Sequence, residues 1–175
     1  PTYPEGALKV LVVEDNAELK VYIYNSLSDR YEVRDASNGK EALNVISSGW
    51  IPDMIVTDLM MPEMDGIELV NHIRNDFSTS HIPVIMITAK HEDDTQVKAM
   101  KYGADGYIAK PFTMELLTAR IDNMLDRRTA LVARMSSPVD NEGDDKERKS
   151  RKIDISPEEI VITDKDEQLI KKVMQ

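Results

Sequence analysis

MIVTDLMMPEMDG, residues 54–66, is the segment from which the fold can be worked out. Met54 to Thr57 suit a buried strand and run straight into Asp58. A methionine-rich loop broken by Pro62 comes next and ends on Asp65-Gly66. Asp65 with Glu68 has the form of a capping box, and Ile67, Val70 and Ile73 recur at helical spacing behind it. The stretch therefore predicts a strand, a loop and a helix. An ionised carboxylate at the end of an apolar run loses hydration unless something pairs it, so Asp58 is expected to face a partner.

The same alternation extends in both directions. Apolar runs occur at ALKVLVV (7–13), YEVRDA (31–36), MIVT (54–57), IPVIMIT (82–88) and GYIA (106–109). Several are continuously apolar, the pattern of parallel strands covered on both faces by crossover helices. Asn16 is placed to cap a helix with Leu19, Ile23 and Leu27 on one stripe, and Asn38 one with Leu43 and Ile46 inward. Residues 91–102 form a weaker, polar helix carrying Val97 and Met100, with Gly103 as its C-terminal cap. Thr113 caps a last helix carrying Leu116, Leu117, Ile121 and Met124. This is a (βα)5 pattern, expected to close as an open, doubly wound, parallel five-stranded α/β sheet over residues 1–130.

Composition narrows the function classes. The chain has 175 residues, 41% of them hydrophobic, with two Phe and one Trp, so its core must be Val, Ile, Leu and Met. Having no Cys, it can form no disulfide, thiolate metal site or cysteine nucleophile, which is compatible with a reducing, cytoplasmic setting. No segment is apolar over a membrane-spanning length, and no membrane contact is expected. The net charge of −10 argues against nonspecific nucleic-acid binding. Residues 1–130 hold 13 basic and 21 acidic side chains, against 9 and 11 in residues 131–175, so the acidic excess lies mainly in the first part.

Leu131, Val132 and Met135 carry the last helix's apolar pattern past the domain, either as a frayed end or as a stalk toward a neighbour. SSPVDNEGDDKERKSRK (136–152) has almost nothing to bury, and residues 131–152 are read as an extended helix and charged linker. Residues 153–175 offer a short strand at 160–162 and an amphipathic start at 164–174, too small to fold alone. The C-terminal extension is thus expected to be mostly irregular. Because the chain starts at a proline, a fragment of a longer polypeptide is expected.

Ligands of open parallel sheets bind beyond the carboxyl ends of the strands. The residues there are Glu14 and Asp15 after the first run, Asp58 after the third, Thr88 and Ala89 after the fourth, and Lys110 and Pro111 after the fifth. Three carboxylates packed together repel unless a divalent cation offsets them, and Mg²⁺ suits carboxylates, carbonyls and phosphate oxygens. Lys110 can hold an anionic group that the metal also clamps, while Thr88 donates to another of its oxygens. Carboxylate, metal and ammonium around one spot describe phosphoryl transfer. Taken singly each element has an ordinary structural explanation; the conjunction at four strand ends makes chance a poor one. Met60, Met61 and Met64 are expected to pack under the loop, Trp50 to anchor the turn before the third strand, and His72, His81 and His91 to have no metal role.

VLVVEDN (10–16), IVTDLMMPEMDG (55–66), IPVIMITAK (82–90) and GADGYIAKPF (103–112) resemble, in order and spacing, the receiver domains of two-component response regulators. The resemblance covers roughly residues 7–127 and implies a flavodoxin-like strand order 2-1-3-4-5. It implies that Asp58 accepts a phosphoryl group from the phosphohistidine of a histidine kinase domain, in another chain or the same one. It implies Mg²⁺ bound directly by Asp15 and Asp58, by Glu14 mainly through water, and by the backbone carbonyl of Met60. Lys110 pairs with Asp58 and the phosphoryl oxygens, and Pro111 follows a cis peptide. Thr88 and Tyr107 act as a switch that remodels the face of the fourth helix, fifth strand and last helix, a face also open to homodimer formation. Such a domain is an acceptor that gains and loses its own phosphoryl group, and not otherwise an enzyme.

PEEIVITDKDEQLIKKVMQ (157–175) is loosely similar to the lead into an AraC-type helix-turn-helix domain of hybrid sensor-regulator proteins, which implies a transcriptional output. DNA would be read only through an output domain outside this chain. A stand-alone or relay receiver, or a pseudo-receiver working without phosphorylation, is the alternative. A haloacid dehalogenase-like phosphatase needs a second Asp two residues after the nucleophile, where Met60 stands, and its acidic pair late in the chain.

Overall fold

Short apolar runs, four of the five ending on a polar or small residue, set the sheet. The structure, a computed structural model, describes residues 2–89, 97 and 100–136. Its strands are β1 (Lys9–Val13), β2 (Glu32–Ala36), β3 (Met54–Asp58), β4 (Val84–Ala89) and β5 (Gly106–Lys110). They pair in parallel in the order β2-β1-β3-β4-β5. The helices are α1 (Ala17–Leu27), α2 (Gly39–Ser47), α3 (Gly66–Asn75) and the last one, α4 (Met114–Ser136).

Alternation along each strand feeds two separate cores, as side chains must when both faces of a sheet are covered. Leu11, Val13, Ile55, Val84 and Met86 pack on one face with Leu69, Val70 and Ile73 of α3 and Ala42 and Ile46 of α2. Val10, Val12, Val56, Ile85, Ile87 and Ile108 pack on the other with Ile23 and Leu27 of α1 and Leu117, Ile121 and Leu125 of α4. Each helix begins where its capping residue says it should. Asn16 accepts from the Leu19 N–H, Asn38 from Glu41, Asp65 from Glu68 and Thr113 from Leu116. Trp50 is buried before β3, its indole N–H donating to Glu32 at 2.7 Å and its ring 4.9 Å from the Arg34 guanidinium.

Three details differ from the expectation. β3, β4 and β5 each run one residue further, so Asp58, Ala89 and Lys110 are the last residues of strands instead of the first of loops. Leu116 is 43% exposed, because the stripe that faces the sheet runs 117, 121, 125 and places residue 116 about 100° round the helix. Met60 is 69% exposed at the mouth of the loop, leaving Met61 and Met64 to pack beneath it.

The predicted helix at 91–102 lies mostly outside the described residues; Val97 and Met100 within it are exposed. The chain divides into the units Pro1–Ser137 and Pro138–Gln175. The expected linker beyond 136 and the segment 153–175 lie outside the described residues. No helix among the described residues is long and apolar enough to cross a membrane.

Candidate functional site

The strand order reverses direction at β1, which has β2 on one side and β3 on the other, and this opens a crevice at the carboxyl ends of β1 and β3. Glu14, Asp15 and Asp58 meet there. One carboxylate oxygen from each lies within 4.8 Å of the other two, with Glu14 and Asp58 buried and Asp15 exposed. Glu14 is held by the β1 backbone, whose N–H at residue 14 donates to the Ala36 carbonyl, and its side chain accepts from the Asn16 N–H at 3.0 Å.

Lys110 reaches this cluster from the end of β5, two strands away from β3. Its ammonium lies 3.0 Å from Asp58 Oδ2 and 3.4 Å from Glu14 Oε2. The Lys110–Pro111 peptide is cis. Thr88, at the end of β4 between them, is fully buried, and its hydroxyl has no hydrogen-bond partner among the described residues. Buried hydroxyls are normally paired, so this one has a donor to spare. Ala89 beside it is exposed, and Tyr107 on the edge strand β5 turns outward at 38% exposure.

The electrostatics come from three acids and one base. Burial pushes the Glu14 carboxyl up to about 7; the Asn16 N–H and Lys110 oppose this, and the Asp58 charge and a hydrogen bond with Asp15 add to it. For Lys110, burial pulls downward, but the hydrogen bond and charge of Asp58 and the nearby Glu14 outweigh it and leave the ammonium above its ordinary value. One ammonium does not neutralise three carboxylates. The ammonium and a divalent cation together do, and the all-oxygen donor set with two buried members suits Mg²⁺.

The loop after Asp58 is built on Gly66. A Cβ there would lie 2.4 Å from the Asp58 carbonyl oxygen, and the Gly66 N–H donates to Leu59 at 2.8 Å. Only glycine lets the start of α3 come so close to the strand that carries Asp58. The sequence signal was the Asp-Gly pair at residues 65–66, which reads equally well as a simple helix cap. His72 and His81 lie away from the crevice on α3 and the turn before β4, and His91 is outside the described residues.

A five-stranded parallel sheet of order 2-1-3-4-5 with an acidic cluster and a lysine at its switch point is the architecture of a receiver domain. Residues 10–122 match the response regulator receiver domain family, and the chain belongs to that family. It is 37% identical over 166 residues to "Histidine kinase P4" of Formosa agariphila, a match covering 95% of this chain and 11% of that protein. It is 35% identical over 122 residues to the phosphate regulon transcriptional regulatory protein PhoB of Escherichia coli, covering 69% of this chain and 53% of PhoB. Among solved structures, the signal receiver domain of a histidine kinase from Syntrophus aciditrophicus superposes with a TM-score of 0.65 at 30% identity, covering 69% of this chain and 92% of that one.

Proposed function

We propose that the chain is a phosphoacceptor in a two-component phosphorelay, and that Asp58 takes a phosphoryl group from a kinase phosphohistidine to form an acyl phosphate. The single observation that carries the reading is the Lys110 ammonium 3.0 Å from the Asp58 carboxylate, beside the Glu14 and Asp15 acids. Asp58 Oδ attacks phosphorus as the P–N bond to the imidazole breaks, the imidazole leaving with the bonding electrons. Mg²⁺, held by Asp15, Asp58, the Met60 carbonyl and Glu14 through water, would neutralise the phosphoryl oxygens. Lys110 stabilises the charge that stays on those oxygens, and the unpartnered Thr88 hydroxyl donates to one of them.

That last bond also supplies the switch. Thr88 drawn toward the phosphoryl group leaves space beside β5 that Tyr107 can turn inward to fill, biasing an existing equilibrium. The remodelled face around β5 and α4 then signals to a linked output or to a second copy. The domain works as an acceptor, on the cytoplasmic side of the cell.

The similarity to a histidine kinase across 166 residues, well past the receiver, favours a hybrid chain in which kinase and receiver are linked; a transcriptional output of AraC type rests on the loose resemblance of residues 157–175 alone. A native reading frame stopping near residue 175 would exclude that context and leave a stand-alone or relay receiver. The test of the chemistry is incubation with Mg²⁺ and acetyl phosphate. One phosphoryl group should be gained at a hydroxylamine-labile linkage and be lost in Asp58→Asn; labelling that persists in that variant moves the site elsewhere, and no labelling of the native chain favours a pseudo-receiver.

A further inference from the structure

The loop between Asp58 and α3 is strapped to the start of α2 at one point. The Gly39 N–H donates to the Met64 carbonyl at 3.1 Å. The buried Met64 side chain lies across the same glycine so closely that a Cβ on residue 39 would sit 2.5 Å from Met64 Cγ, 2.7 Å from Sδ and 2.9 Å from Cβ. Gly39 is the first residue of α2, behind the Asn38 cap, and its φ is not in the left-handed region, so neither the turn nor the helix needs glycine there. What needs glycine is the approach of Met64.

Within the loop the chain is tightly wound. The Met64 N–H returns to the Pro62 carbonyl at 2.7 Å, the Gly66 N–H closes on Leu59, and Glu63 is held at φ 65, a conformation side chains disfavour. A segment in that state is fixed by its surroundings: besides the packing of Met61 and Met64 in the core, the contacts that tie it to α2 are the Gly39–Met64 strap and a peripheral ion pair between Lys40 and Glu63 at 3.9 Å.

We propose that Gly39 is a positioning residue for the backbone that presents the Met60 carbonyl to the metal: through its N–H bond to the Met64 carbonyl, and by leaving room for the Met64 side chain, α2 sets the metal-facing geometry of a loop with which it shares no catalytic group. The inference rests on the reading that Mg²⁺ binds beside Asp58. It predicts a separation of effects, because Gly39→Ala favours helix α2 by propensity while displacing the loop.

The experiment measures Mg²⁺ binding by calorimetry, acetyl phosphate labelling and thermal melting on the full chain. The native chain is the control for the underlying reading: if it neither binds Mg²⁺ nor takes a phosphoryl group, that reading fails. With a competent native chain, Gly39→Ala should melt as the native chain does yet bind Mg²⁺ about tenfold more weakly. Met64→Ala alone should bind normally. Combining the two removes the contacts to Cγ and Sδ but keeps the one to Cβ at 2.9 Å, which still displaces the loop, so part of the affinity should return. Should Gly39→Ala fail to fold, Gly39→Pro with Met64→Ala deletes the strapping N–H at a helix position where proline is well accepted, and should weaken Mg²⁺ binding likewise. Native affinity in Gly39→Ala, no recovery in the double variant, or native affinity in the proline variant would each overturn the proposal.

Discussion

Replacing Glu14 by Gln should make the metal-free protein more stable at neutral and alkaline pH and leave it almost unchanged in mild acid. Glu14 is 1% exposed, and folding raises its carboxyl from an ordinary 4.5 to about 7, chiefly through burial. The folded state therefore holds this proton more tightly than the unfolded chain does. Stability from the protonated form is present below pH 4.5 and is lost as pH rises through about 7, the opposite direction to a salt-bridged carboxylate. The rise from 4.5 to about 7 corresponds to about 3 kcal/mol of destabilisation once the group is fully ionised. That is a large share of a domain stability of about 5–15 kcal/mol. Gln keeps the shape and the acceptor for the Asn16 N–H without the charge. The assay is urea unfolding in a chelator at about pH 5 and about pH 8, monitored by the fluorescence of the buried Trp50. A 3 kcal/mol effect moves the midpoint by about 1–3 M urea, well above error. Added Mg²⁺ should reverse the order at the higher pH, since the cation stabilises the ionised native cluster and has less to bind in the variant. If the difference between native protein and Glu14→Gln is the same at both pH values, burial does not govern this carboxylate and the reasoning fails.

Further outcomes rest on single contacts. Lys110→Met removes the ammonium 3.0 Å from Asp58, so Mg²⁺ should bind more tightly while acetyl phosphate labelling slows about tenfold or more; slower labelling with weaker metal binding would contradict this. Arg74 ties the end of α3 to the carbonyls of Ser80, Ile82 and Gly103 and to Asp105, so Arg74→Gln should cost about 2–4 kcal/mol in urea unfolding while Mg²⁺ affinity, measured calorimetrically, stays put. Phe77, at 96% exposure, touches so little that Phe77→Ser should change stability by no more than about 0.5 kcal/mol; a larger loss on melting would mean that it is covered in solution.

Much of the fold was legible because local signals agreed with one another. The caps Asn16, Asn38, Asp65 and Thr113 and the apolar runs between them mark strands and helices by rules that act over a few residues. The candidate cluster was legible because parallel strands put their carboxyl ends on one edge, so the residues at the close of each run all line one crevice. Less legible were features set by contacts across the sheet. Leu116 satisfies an apolar pattern yet faces outward, since the direction of the α4 stripe depends on where the sheet lies beneath it. Gly39 and Gly66 each come directly after a capping residue and look like cap chemistry; their closeness to Met64 and to the Asp58 carbonyl exists only after α2 and α3 have docked.

Residue order alone is enough for the alternation of elements, the parallel sheet and the chemical groups that stand at its carboxyl edge, because short-range periodicity and turn chemistry are written residue by residue. Folding in three dimensions was needed to bring Lys110 within 3.0 Å of an acid 52 positions earlier, to leave Thr88 without a partner, and to drive Glu14 up to about 7 by burial. Distances, desolvation and unpaired polar atoms are properties of neighbours in space, and no local pattern in a chain specifies which neighbours those will be.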